Sequence, residues 1–168
     1  MSDTWLTCRA ERDDDVGFLR GLYASTRVDE LAPLGWTAAQ LDAFVTMQFE
    51  AQCTHYRANY PDADFLVLTV GAERVGRLYV NRGPTEVLLI DIALLPERRG
   101  AGLGTALLRR LIDDAAQAGV PLRLSVDKTS RAFGLYQRLG FTPIGDQGVS
   151  WRMEWRPHRH TRVLDSPA

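Results

Sequence analysis

The sequence predicts an α/β (α+β) fold: a mixed, mostly antiparallel sheet with one parallel β-α-β crossover and helices on both faces. Three observations predict it. From Phe65 to Leu95, three apolar runs of strand length follow one another through short turns containing Gly71 and Gly83, the pattern of an antiparallel meander. The last run leads into an amphipathic helix and then another apolar run, Leu122 to Val126, and strand, helix, strand in succession implies a parallel crossover. Apolar residues at helical spacing before the meander supply further helices.

In chain order, Trp5 to Ala10 reads as a first strand. Asp13 to Asp15 cap a helix carrying Val16, Leu19, Leu22 and Tyr23 on one face, running to about Ser25. Thr26 to Trp36, with Pro33 and Gly35, reads as loop. Thr37-x-x-Gln40 has the form of a capping box for a second helix ending near Tyr60-Pro61. Leu41, Phe44, Val45, Gln48, Phe49, Gln52 and Tyr56 trace one face of it. The polar members Gln48, Gln52 and Tyr56 either line a substrate pocket or form the helix's exposed margin.

The meander strands are Phe65 to Val70, Val75 to Asn81 and Val87 to Leu95. After the crossover helix, from about Thr105 to Ala118, Gly119-Val120-Pro121 stops the chain before Leu122 to Val126. Ser130 caps a helix from Arg131 to Leu139, closed by Gly140. Thr142 to Gly145 and Val149 to Trp155 form a final antiparallel pair. Residues 1–155 make one domain, and the tail from Arg156 to Ala168, with His158 and His160, is expected to be disordered rather than metal-binding.

Composition narrows the function classes. At 168 residues, the chain is long enough for one substantial core, and 45% hydrophobic with 24% charged residues is ordinary for a soluble globular protein. A net charge of −1 leaves no broad basic surface for a nucleic-acid backbone. Cys8 and Cys53 show neither metal-ligand nor C-x-x-C spacing. There is no signal-like N-terminus and no membrane-length apolar run, so a soluble, cytoplasmic protein with no metal, nucleic-acid or membrane partner is expected.

The rest of the chain is organised around Val87 to Arg110, VLLIDIALLPERRGAGLGTALLRR. The aliphatic run suits a strand buried on both faces, interrupted only by Asp91, and Pro96 ends it. Arg99-Gly100-Ala101-Gly102-Leu103-Gly104-Thr105 then opens a helix. Alternate glycines leave backbone N–H groups uncovered, and the helix start adds free amides and the positive end of its dipole, so an anion such as a pyrophosphate is favoured. Arg98 and Arg99 add positive charge. A dinucleotide fingerprint starting at Gly100 needs Gly or Ala at 105 and meets Thr105, although Asp127 mimics its ribose-binding acid. A P-loop needs Gly-Lys-Ser/Thr, which is absent. A Gly-rich turn without a ligand is the bland alternative.

Arg99-x-x-Gly102-x-Gly104 resembles the R/Q-x-x-G-x-G/A motif of the GCN5-related N-acetyltransferases (GNAT), which binds the pyrophosphate of acetyl-CoA. A second block, Thr129-Ser130-Arg131-Ala132-Phe133-Gly134-Leu135-Tyr136-Gln137-Arg138-Leu139-Gly140-Phe141, resembles the family's N-x-x-A-x-x-L-Y-x-x-x-G-F signature. Thr129 stands where the family has Asn, which puts that contact in doubt. The resemblance runs from about Thr7 to Trp155 and implies the GNAT acyl-CoA acyltransferase fold.

It also implies an acetyl-CoA-dependent N-acetyltransferase working by direct transfer in a ternary complex. The acceptor would be a primary amine of a small molecule or a peptide N-terminus, and a homodimer is allowed. The alternatives are a non-catalytic acyl-CoA sensor of the same fold, or a transferase using another acyl-CoA. Ala93 and Leu94 would receive the pantetheine arm where their strand splays from Leu122 to Val126. A backbone N–H near Leu94 would polarise the thioester carbonyl. Residues 99–105, Thr129 and Ala132 would hold the rest of the cosubstrate.

Tyr136 matches the tyrosine that protonates the thiolate, as a neutral phenol can; otherwise it packs its ring on the helix. Asp91 either faces a wet cleft and takes the proton of the ammonium, or is the structural partner of Arg77 or Arg123. Glu86, His55 and bulk water are the other candidate bases. The acceptor region, Arg27 to Tyr60, carries Asp29, Glu30, Trp36, Gln48, Gln52 and Tyr56, which suits a small cationic amine or a peptide N-terminus.

Overall fold

The computed structural model describes residues 5–158, so His160 and most of the expected tail lie outside it. Seven strands form one sheet: β1 (Leu6–Ala10), β2 (Asp64–Val70), β3 (Glu73–Arg82), β4 (Val87–Leu94), β5 (Leu122–Asp127), β6 (Thr142–Asp146) and β7 (Ser150–Trp155). Their order is β1-β2-β3-β4-β5-β7-β6, and every neighbouring pair is antiparallel except β4 and β5. Four helices, α1 (Val16–Leu31), α2 (Ala38–Asn59), α3 (Leu103–Ala118) and α4 (Ala132–Arg138), complete the fold. The mixed α/β fold is therefore present as predicted.

The two faces of the sheet have separate cores. Leu68, Leu78, Val80, Val87, Leu89, Leu122 and Leu124 pack with α3 and α4 on one face. Val67 packs with Leu19, Tyr23, Leu31, Val45 and Phe49 of α1 and α2 on the other. Helix α3 starts on glycines that cost roughly 1 kcal/mol each against alanine. Its buried Leu107, Leu108 and Leu111, at about 2 kcal/mol apiece, outweigh that cost.

One boundary differs from the sequence reading. The first helix does not stop near Ser25 but runs to Leu31, followed by a 3₁₀ turn at Ala32–Leu34. Nothing between 26 and 31 breaks a helix, and burial of Leu31 rewards the extra turns. Pro33 and Gly35, the latter in the left-handed region at φ 62°, act only after it. The capping box of α2 forms as read: Thr37 Oγ1 accepts from the Gln40 N–H, and Gln40 Oε1 accepts from the Thr37 N–H.

The decisive irregularity is in β4. Tyr79 pairs with Asp91 and Val80 with Leu89, so Ile90 is an extra residue. A single inserted residue reverses the side-chain alternation beyond it and bends the strand. Val87 and Leu89 before the bulge and Ile92 and Leu94 after it all join the α3 core. Without the bulge, Asp91 would point into that core; with it, Asp91 faces α2. The bent end of β4 is only half-buried, not buried on both faces as its composition suggests.

Candidate active site

Pairing of β4 with β5 ends at Leu89 with Leu124, and beyond that point the two strands part. The Leu95 N–H bonds the Val75 carbonyl on β3. Backbone groups alternate sides along a strand, so those of Ala93 also turn toward β3, while those of Ile92 and Leu94 turn into the gap. Gly76 allows β3 to lie this close: a Cβ there would stand 2.3 Å from the Ala93 carbonyl oxygen.

The gap is a cavity of about 280 Å³ lined by residues from both faces of the sheet. Leu89, Ile92, Leu124, Val126, Ala132 and Tyr136 line it from the α3/α4 face; Tyr56 and Asp91 line it from the α2 face, with Ser125 and Asp127 on β5. That volume is at the small end of ligand sites. It suits the reacting end of a long molecule rather than the whole of it.

The glycine loop follows the end of β4 and is not part of the cavity lining; a Cβ on Gly104 would lie 3.8 Å from the Leu94 side chain. Gly100 and Gly102 hold φ 75° and 80°, values that L side chains rarely adopt, and Gly102 is the residue from which α3 starts. Among the described residues, the backbone N–H groups of 100–105 have no protein acceptor. With the α3 dipole behind them, they form a concave set of donors for an anion. Arg99 is exposed beside this set, its Nε donating to the Leu94 carbonyl at 3.1 Å. Arg98 points elsewhere, paired with Glu73. A loop of free amides leading to a splayed strand pair fits the pyrophosphate and pantetheine of a coenzyme A thioester.

Tyr136, on α4, is 6% exposed and packs edge-on against Phe141 with ring centroids 5.6 Å apart. Burial, and secondarily the Asp91 charge, push its phenol up to about 12, so it remains protonated across the neutral range. It both packs and lines the cavity. Thr129 is exposed, with its N–H and Oγ1 bonded to Asp127 Oδ1 at 2.8 and 2.6 Å. Its neighbour Ser130 lines the cavity, and the Ser130 Oγ accepts from the Ala132 N–H, a cap on the start of α4.

Asp91 has the partner on β3. Arg77 Nη2 donates to Asp91 Oδ2 at 2.5 Å and to Gln52 Oε1 at 2.7 Å. The hydroxyl of Tyr56 donates to the same Oδ2 at 3.2 Å. The polar stripe of α2 thus reaches the cavity through Tyr56 and supports its carboxylate through Gln52. Arg77, 3% exposed, stacks its guanidinium 4.9 Å from the Tyr79 ring centroid, and its Nε and Nη1 have no partner. Sequence reasoning named Arg77 only as one of two structural options, and Tyr56 only as part of the stripe and of the acceptor region. Their convergence on Asp91 depends on the bulge at Ile90, which leaves no trace in residue type.

The other candidate bases lie outside the cavity. Glu86 is tied to Arg123 at 2.7 Å, and Arg123 also holds Glu154 at 2.7 Å, so Arg123 is not the partner of Asp91. His55 is exposed and bonded to Asn59 within α2. No helix among the described residues is long and apolar enough to cross a membrane.

Known proteins are similar to this chain. Residues 26–141 match the model of the acetyltransferase (GNAT) family. Over 84 residues the chain is 39% identical to a GCN5-like protein acetyltransferase of Mycobacterium tuberculosis, covering 46% of this chain and 40% of that protein's length. Among solved structures, the PaiA N-acetyltransferase of Thermoplasma acidophilum, in complex with coenzyme A, superposes with a TM-score of 0.67 at 18% identity, covering 90% of this chain and 99% of that one. The ribosomal-protein-S18-alanine N-acetyltransferase of Escherichia coli superposes at 0.59 and 21% identity, covering 95% and 99%. At such identities the structural likeness concerns the fold alone.

Proposed function

The chain belongs to the GNAT acetyltransferase family, and we propose that it is an N-acetyltransferase that moves an acetyl group from acetyl-CoA directly to a primary amine. The observation that carries this reading is the cavity where β4 and β5 part, which brings Asp91, Tyr56 and Tyr136 together, with the free amides of the glycine loop following the end of the same β4 strand. A donor entering from one face and an amine from the other would meet without a covalent enzyme intermediate. Cys8 is exposed on β1 and Cys53 lies on α2, and neither lines the cavity.

Bound acetyl-CoA supplies the activated thioester. The amides of residues 100–105, with Arg99, hold its pyrophosphate, and Ile92 and Leu94 offer backbone groups to the pantetheine arm. Ala132 and the region of Thr129 close the α4 side. A gap-facing N–H of Ile92 or Leu94 stabilises charge developing on the carbonyl oxygen, as a fixed donor costs no reorganisation at the moment of reaction. Asp91 attracts the cationic amine and accepts its proton. Tyr136, kept protonated, gives its proton to the departing sulfur. The acceptor is a small cationic amine or a peptide N-terminus, because the polar groups on the α2 face of the cavity are a carboxylate, a phenol and the Asp127 carboxylate on β5.

The test is thiol release from acetyl-CoA against amines, polyamines, aminoglycosides and short peptides, alongside calorimetric titration of acetyl-CoA. Amine-dependent thiol release supports the enzyme. Tight binding with no release against the whole panel favours a sensor of the same fold.

A further inference from the structure

We propose that Tyr56 is a catalytic residue: its hydroxyl takes the proton from the acceptor ammonium while passing its own proton to Asp91, which Arg77 and Gln52 hold in position. This inference rests on the acetyl-transfer reading of the same cavity. Asp91 Oδ2 is already occupied by two donors, Arg77 Nη2 and the Tyr56 hydroxyl. An amine approaching that oxygen must displace one of them. Tyr56 lines the cavity, and a phenol oxygen that donates once keeps lone pairs for an incoming N–H. Oδ1 of Asp91 has no partner among the described residues, so a direct route to it competes with the relay through Tyr56 to Oδ2, and the Tyr56→Phe experiment separates the two.

The surroundings fix this path. The Tyr56 ring stands edge-on to Tyr79, at 90° with centroids 5.9 Å apart. The charged and titratable groups around it are Arg77 and Tyr79 on β3, Asp91 on β4, His55 and Tyr60 on α2, and Tyr136 on α4. Burial, then the Asp91 charge, raise the Tyr56 phenol well above its ordinary value, so it always holds a proton to hand on. Arg77 donates to both Gln52 and Asp91 from one nitrogen, which ties β4 to α2 and sets the carboxylate beneath Tyr56.

The step balances. One N–H bond of the ammonium breaks, its electron pair stays on nitrogen, and a new O–H bond forms on Tyr56. The original Tyr56 O–H bond breaks as its proton joins Asp91 Oδ2. The products are a neutral amine, ready to attack the thioester carbon, an intact phenol and a carboxylic acid that later loses its proton to water.

The experiment is Tyr56→Phe, which keeps the ring, assayed by thiol release across pH with two acceptor types. With a strongly basic amine, kcat/KM at pH 7 should fall about 100-fold, in the range of general-base effects. The loss should shrink as pH rises toward the amine's own pKa. With a weakly basic acceptor such as methoxyamine, which is almost wholly unprotonated at pH 7, the change should stay under about threefold. Equal losses at every pH and with both acceptors would make Tyr56 merely structural and overturn the proposal. So would additive losses in a Tyr56→Phe/Asp91→Asn double variant, because a shared relay requires the second removal to cost little more.

Should Tyr56→Phe fold poorly, the solvent-deuterium proton inventory of the wild-type protein decides. Two protons in flight with the basic amine and one with methoxyamine are expected; identical inventories would reject the relay. A wild-type protein that releases no thiol with any amine overturns the transfer reading and this one with it. A Tyr56→Phe variant equal to an active wild type overturns only this one.

Discussion

Two carboxylates in this molecule meet buried arginine-rich surroundings, and they differ in what is left open. Asp15, wholly buried before α1, uses both oxygens. Arg9 clamps it with two bonds of 2.7 and 2.8 Å, the Arg12 N–H adds one at 2.8 Å, and Arg74 Nη1 another at 3.2 Å. It ties the start of α1 to β1 and β3 and has no acceptor capacity to spare. Asp91 is bonded through Oδ2 alone, its side chain is 17% exposed, and it lines a cavity. Behind it, Arg77 keeps two donors unpaired. A closed cluster of this kind stabilises the fold; an open one beside a cavity is available for chemistry, at a cost in stability.

The comparison breaks most visibly in activity. Tyr136→Phe removes the proton donor from the open site and should lower kcat about 100-fold or more with acetyl-CoA affinity unchanged; calorimetry and thiol release measure the two, and an unchanged kcat would sink that role. Asp91→Asn should lower kcat/KM for basic amines by a similar factor and move the acidic limb of the pH profile, while Asp15→Asn leaves per-molecule activity within about twofold. If both variants lost activity in proportion to their melting temperatures, the two clusters would be of one kind.

Stability reads the difference from the other side. Asp15→Asn should cost about 2–3 kcal/mol, between an exposed pair and a fully buried one. In a chain of this length that lowers Tm by roughly 5–10 °C. Arg9 hydrogen bonding, against the opposing effect of burial, holds the Asp15 carboxyl well below the usual range. Its contribution is therefore present above the unfolded carboxyl value, near 4, and is lost as pH falls below it toward the folded value. The gap in stability between wild type and Asp15→Asn should narrow on acidification, and acid titration of Tm measures it.

The smallest effect is expected at Glu86. Held by Arg123 and outside the cavity, it should tolerate Glu86→Gln with kcat/KM within about threefold of wild type. A loss comparable to that of Asp91→Asn would mean that the wrong carboxylate has been assigned.

Local rules carried most of the fold. The capping box at Thr37, the Gly71 and Gly83 turns and the break at Gly119-Val120-Pro121 each act within a few residues, and the strands and helices they bound are present. The reach of α1 to Leu31 was not legible, because it depends on what Leu31 buries against. At the site, the glycine loop was readable because backbone exposure follows from glycine itself. The partner of Asp91 was not: choosing Arg77 over Arg123, and bringing Tyr56 to the same oxygen, requires the β3–β4 register and the bulge at Ile90. An aliphatic run such as Val87 to Leu95 does not reveal which of its residues is the extra one.

The most direct test of the central claim is calorimetric titration of acetyl-CoA into the wild-type protein and into Gly102→Val, with amine-dependent thiol release measured on both. Valine at 102 would need the left-handed backbone that Gly102 adopts at the head of α3, disturbing the donor cradle at its centre. Saturable binding and thiol release by the wild type, both lost in a Gly102→Val variant that still melts cooperatively, is the result predicted. Binding that survives Gly102→Val undiminished, or a wild type that does not bind acetyl-CoA, would contradict the account.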